Sequence, residues 1–152
     1  MSKGFSLIEL LIVLTILVIV ASAVIRAYEN YSQKLRIENE THKIYLLLKE
    51  VQLEAKTKKE NRCVKLNPNP GDRIEIYNST CGSLSNKLRT VKLEVIFEQR
   101  GGIGINKFGI VADMGNIHIK DPSFSASINC VKADRFRICE GEWNGSECRC
   151  KF

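Results

Sequence analysis

From Phe5 to Ile25 the chain is apolar at almost every position, with Glu9 as its one charge. At about 1.5 Å per residue, a helix of that length spans about 31 Å, close to the roughly 30 Å hydrocarbon core of a bilayer. No Gly or Pro interrupts the chain between Phe5 and Arg62, so the helix is expected to continue past the apolar stretch. There the pattern changes. Ile37, Thr41, Ile44, Leu48, Val51 and Ala55 recur at the spacing of one helix face, while Lys34, Arg36, Glu38, Glu40, Lys43, Lys49 and Glu50 mostly take other positions. The pattern predicts one rod, apolar all round in its first half and amphipathic in its second. The polar segment 56–62 ends it.

Short alternating runs follow. Cys63–Leu66, Arg73–Tyr77, Val91–Glu98, Gly109–Ala112, Ile117–Ile119, Phe124–Val131 and Phe136–Cys139 read as strands. Asn67-Pro-Asn-Pro-Gly-Asp72 is a turn cluster, and Gly101-Gly102 breaks the chain. Asp113-Met-Gly-Asn116 and Lys132-Ala-Asp134 are expected to be hairpin turns. The tail 140–152, with Trp143, reads as a disulfide-pinned loop. The class is α+β: a long N-terminal helix, half transmembrane and half amphipathic, packed on a C-terminal antiparallel domain like a β-sandwich, with two small sheets.

The net charge is +6. Lys3 and Glu9 cancel, so the region after the apolar run carries all of it and presents a basic surface. Six cysteines, Cys63, Cys81, Cys130, Cys139, Cys148 and Cys150, point to disulfides in an oxidising compartment. A Cys63–Cys81 loop and links among the last four fit the spacing, and Cys148 and Cys150 are too close to pair comfortably with each other. The connectivity stays open. A metal reading is weaker, because Cys148-Arg-Cys150 has no second close pair beside it. His42 and His118 read as surface residues, and no nucleophile, phosphate-binding or cofactor motif is present in the sequence. The chemistry expected is assembly rather than catalysis, without a cofactor or metal.

Glu9 is the feature that needs explaining. A charge near the bilayer centre costs about 2.5–3.5 kcal/mol on insertion scales. Three readings compete for this end of the chain. A secretory signal would be cut at Ala21-Ser22-Ala23, leaving Val24 first, but has no use for the acid. A plain membrane anchor has none either. Gly4-Phe5-Ser-Leu-Ile-Glu9, at the mouth of an apolar helix, resembles the processing site of type IV pilins and pseudopilins. That resemblance implies cleavage after Gly4 by a prepilin peptidase, methylation of the new amine on Phe5, and retention of the helix. It also implies that Glu9 meets the Phe5 amine of a neighbouring subunit in a filament. The positive-inside count (Lys3 before the helix; Arg26, Lys34 and Arg36 after it) does not favour a periplasmic domain; the cysteines do, and carry more weight.

The resemblance extends to the C-terminal region. Phe108–Gly115 and Asp134-Arg-Phe-Arg-Ile-Cys139 look like the final hairpins of the GspH/FimT group, minor pseudopilins of type II secretion and minor pilins, although Asp134 stands where the group has Gly. The two regions cover roughly 60 of the 152 residues. The implied organisation is a leader at 1–4, a transmembrane and filament-core helix at 5–25, an amphipathic extension at 26–60 and a β-rich domain at 61–152. The expected location is the inner membrane, single-pass, and then a pseudopilus or pilus, with prepilin peptidase and other pilin subunits as partners. DNA is a further candidate partner. Arg135 and Arg137, two apart on a predicted strand, would share a face and reach adjacent phosphates, with Lys132 and Arg149 close by.

Overall fold

The computed structural model describes residues 6–121 and 126–151, without the side chain of Ala23. The leader, Gly4 and Phe5 lie outside the described residues, as do Phe124 and Ser125 at the start of the strand expected at Phe124–Val131. Helix α1 runs Leu7–Lys58. The chain divides into two compact units, Met1–Gln33 and Lys34–Phe152.

In the first unit, the large apolar side chains from Leu7 to Ile25 are exposed, Leu7 at 83% and Val18 at 69%. The hydroxyls in this stretch are satisfied locally: Thr15 Oγ1 donates to the Ile12 carbonyl and Ser22 Oγ to the Ile19 carbonyl, both at 2.8 Å. Every polar group of such a helix must be paired internally if lipid surrounds it.

In the second unit the periodic stripe is buried. Ile37, Thr41, Ile44, Leu48, Val51 and Ala55 are all enclosed, and Thr41 Oγ1 returns to the Ile37 carbonyl at 2.8 Å. The strands are β1 (Arg62–Leu66), β2 (Gly71–Tyr77), β3 (Lys87–Arg100), β4 (Ile103–Ile105), β5 (Val111–Asp113), β6 (Gly115–Ile119), β7 (Cys130–Ala133), β8 (Ile138–Trp143) and β9 (Cys148–Cys150). All neighbours pair antiparallel in the order β5-β4-β1-β2-β3-β6-β7-β8-β9. From Ile44 onward the helix stripe shares one core with Val64, Ile74, Ile76, Phe97, Ile117 and Val131 from the sheet, while Ile37 packs in a separate cluster with Ile119 and Ala126.

The α+β class is as expected, but one continuous sheet replaces two small ones. The cause is β3. Its first half pairs with β2 and its last residues with β6, so it joins what would otherwise be two sheets. Between Lys92 and Phe97 it bulges away from β2. Helix side chains serve the backbone there: Lys43 Nζ donates to the Lys92 carbonyl at 3.1 Å, and the buried Glu40 carboxylate accepts from the Glu94 N–H at 3.0 Å.

The predicted hairpin at Asp113–Asn116 is absent. β5 pairs with β4, whereas β6 pairs with β3 and β7. Only Met114 separates β5 from β6, and only Gly101-Gly102 separates β3 from β4. Links of that length reach at most about 7 Å and about 11 Å, so the sheet must curl until its β4–β5 wing meets the step from β3 to β6. The two links cross at Gly101, where φ is +76° and an added Cβ would lie 2.8 Å from the Met114 carbonyl oxygen. Inside the curl, the Gln99 amide donates to the Val64 carbonyl at 3.1 Å and accepts from the Leu66 N–H at 2.5 Å. The expected C-terminal loop is also corrected: β8 and β9 form a hairpin, with Trp143 opposite Cys148.

Candidate functional site

Glu9 lies in the first turn of α1, where the macrodipole favours negative charge. Its side chain is exposed among exposed apolar neighbours, and it has no ion-pair partner among the described residues.

The second candidate is the basic C-terminal segment. Arg135 and Arg137 do not lie on a strand. β7 continues through Ala133, and Asp134–Arg137 is the turn into β8, closed by Asp134 N–H to the Arg137 carbonyl at 2.9 Å and by Arg137 N–H to the Asp134 carbonyl at 3.3 Å. The turn sits where it does because Ala133 and Ile138 are both core residues facing each other in register. Phe136 therefore stands at the tip, 94% exposed, rather than in the strand expected at Phe136–Cys139. Lys132 is paired with Asp134 at 3.2 Å and Arg149 with Glu147 at 3.2 Å. Arg135 and Arg137 are exposed and have no acid partner among the described residues. One further cation was missed in the sequence. Arg100 lies across from Asn116, which lies across from Lys132, so strand register brings it beside this patch. No local pattern in the sequence signals that.

Arg100 also covers the indole of Trp143 at 4.8 Å, and His118 stacks under the same ring, centroids 3.7 Å apart. His118 is buried, at 2% exposure, which corrects its reading as a surface residue. Burial pushes its imidazole below the usual range. His42 is exposed, and its Nδ1 lies 2.6 Å from Glu140 Oε1.

All six cysteines are paired: Cys63–Cys81, Cys130–Cys148 and Cys139–Cys150. None remains as a thiolate nucleophile or metal ligand. The last two bridges hold β9 against β7 and β8. They approach across Gly141, where a Cβ would lie 1.9 Å from the Arg149 carbonyl oxygen. Among the described residues, no group of three or more His, Cys, Asp and Glu gathers as a metal site. The strongest polar network is elsewhere, at Glu75. The Tyr77 hydroxyl, the Asn67 amide at 3.0 Å and Lys87 Nζ at 3.0 Å all donate to its carboxylate and hold it down to about pKa 2, with Tyr77 the largest cause. Three donors on one carboxylate describe a structural clasp between β2, the turn before it and β3.

Residues 1–25 match the family described as the prokaryotic N-terminal methylation motif. No curated protein and no solved structure matches the chain. The motif implies processing by prepilin peptidase and assembly with other pilin subunits. That family is one of type IV pilin-like structural subunits rather than enzymes, and the motif together with the apolar helix behind it, long enough to cross a bilayer, fits a membrane-anchored pilin.

Proposed function

We propose that the chain is a minor pilin or pseudopilin of the GspH/FimT type. Prepilin peptidase cuts after Gly4 and methylates Phe5. The subunit waits in the inner membrane with its C-terminal domain in the periplasm, then enters a pseudopilus or pilus through its apolar helix. The domain organisation that goes with this reading is leader 1–4, filament-core helix 5–25, amphipathic extension 26–60 and β-rich domain 61–152. The observation that carries it is Glu9: an acid without a partner among the described residues, set among exposed apolar side chains of the helix. Such a side chain is costly in lipid and is satisfied when the amine of another copy meets it. Intact-mass and N-terminal analysis of the mature protein tests the reading. A methylated Phe5 terminus is expected. Val24 at the terminus would support secretion after Ala23 instead, and retained Met1 would leave only a plain anchor.

A second reading, DNA binding for uptake, draws support from the exposed Arg135 and Arg137, which have no acid partner among the described residues and sit on a hydrogen-bonded turn. Phosphate contacts of this kind are sequence-blind and salt-sensitive. Duplex binding at low salt that survives Arg135→Gln with Arg137→Gln rules this reading out.

A further inference from the structure

The end of α1 carries a second cationic surface, built by tertiary contacts. The β4–β5 hairpin tip is clamped onto the last turns of the helix. Gln52 Nε2 donates to the Gly109 carbonyl at 2.7 Å, and the Lys107 N–H donates to Asn61 Oδ1 at 3.1 Å. Gly109, with φ of +79°, permits the approach, since even a Cβ there would sit 3.3 Å from the Lys56 Cβ. Lys107 and Phe108 are thereby fixed beside Lys56 and Lys59, all of them exposed.

The sequence around Lys56 looks mixed in charge, but the fold separates the signs. Glu50 and Glu54 are both held by Arg89, at 3.1 and 3.3 Å, and Glu60 is held by the buried Arg62 at 2.8 Å. The nearby acids are thus occupied by arginines from other strands. Lys56, Lys59 and Lys107 have no acid partner among the described residues. Between and beside them stand large apolar side chains that the fold leaves open: Leu53 at 66%, Phe108 at 65% and Ile110 at 47% exposure. Leu53 is one turn from Lys56 on the same side of the helix.

We propose that this pole docks onto an anionic lipid surface, with the lysines at the headgroups and Phe108, Leu53 and Ile110 entering the interfacial layer. Unmatched lysines beside exposed aliphatic and aromatic groups are what such a surface recognises. Nucleic acid fits less well. Lys107 Nζ already lies 5.4 Å from the centre of the Phe108 ring, which occupies one stacking face, and two of the three apolar groups are aliphatic. The lysines also lack the fork that grips phosphate in two places.

The test uses the full chain carried in nanodiscs of phosphatidylcholine, so that its apolar helix is already housed. These are mixed with vesicles of phosphatidylcholine alone or with added phosphatidylglycerol, and binding is read by flotation. Binding to the anionic vesicles only, weakening with salt, is expected. The variant Lys56→Gln, Lys59→Gln, Lys107→Gln should bind about 100-fold more weakly, at roughly fivefold per lysine. Phe108→Ser, at unchanged charge, should lose about tenfold. An unchanged thermal midpoint in both variants shows that the fold is intact. No binding by the wild type, or equal binding by the triple variant, overturns the proposal. So does binding of a duplex DNA fragment, lost in the triple variant, without any binding to vesicles.

Discussion

The two halves of α1 are built from similar apolar residues and end in opposite environments. Leu11, Leu14 and Leu17 are more than half exposed, whereas Ile44, Leu48 and Val51 are at 0%. The difference lies in what the chain supplies as cover. The second half has a nine-stranded sheet to bury its stripe; the described large apolar side chains of the first are exposed. An apolar surface of that size in water is unfavourable at roughly 25 cal/mol per Å². Lipid or other copies are the kind of cover such a surface takes, and this one lies within the methylation motif, which implies assembly with other pilin subunits.

The largest break in this comparison should come from its one polar member. Glu9→Leu is expected to abolish filament assembly, read by pulldown and electron microscopy, while circular dichroism and disulfide content of the C-terminal domain stay unchanged. Assembly at wild-type level would mean that the acid does not meet a neighbour. The next effect contrasts the halves directly. Leu48→Ala should destabilise the domain by about 2–5 kcal/mol in denaturant unfolding, as filled core sites do. Leu17→Ala should shift the same transition by less than about 0.5 kcal/mol. Equal losses would show that the first half is packed into the domain.

A third experiment asks how much of the domain's stability lies outside the helix-facing core. Removing the Cys130–Cys148 bridge with paired serines should cost about 2–4 kcal/mol and raise the accessibility of Trp143, which packs against that bridge, to a fluorescence quencher. Unchanged quenching would place the rigidity of that face in the Arg100 and His118 stack alone. The smallest effect is the pH dependence from Glu75. Its folded pKa, near 2, lies below the ordinary 4.5. A carboxyl lowered on folding stabilises fully above its unfolded value, and that contribution fades as pH falls toward the folded value. Stability from this clasp is therefore intact above about pH 5 and lost progressively down to about pH 2. Glu75→Gln should flatten that limb of the stability curve, and an unaltered limb would remove the clasp from the account.

Several elements were legible in advance because their signals are local. The helix stripe from Ile37 to Ala55 repeats at helix period and is buried as predicted. β1, β2 and β6 fall where alternation placed them, and the Asn67–Asp72 turn closes the β1–β2 hairpin. The misses share a cause. Alternation locates strands but not their partners, so Asp113–Asn116 resembled a hairpin turn although its flanking strands belong to opposite wings of the sheet. The Asp134–Arg137 turn was misplaced because Arg, Phe and Ile carry ordinary strand propensity. Only the facing of Ala133 and Ile138 in the core decides where β7 stops. His118 looked solvent-facing because burial of that sheet face depends on Trp143 and the Cys130–Cys148 bridge, which lie well away from it in sequence.

The sequence by itself determined the processing-type N-terminus, the apolar helix and the even set of cysteines that pair as disulfides, because each rests on composition or on spacing within a few turns of chain. Tertiary structure decided which charges remain available. Arg62 and Arg89 take up Glu60, Glu50 and Glu54, while Arg135, Arg137 and the lysines around Phe108 have no acid partner among the described residues. Apart from the local Arg62–Glu60 pair, that sorting depends on strand register and sheet curl, and so on contacts between residues far apart in the chain, such as Arg89 with Glu50 and Glu54, which no local pattern can encode.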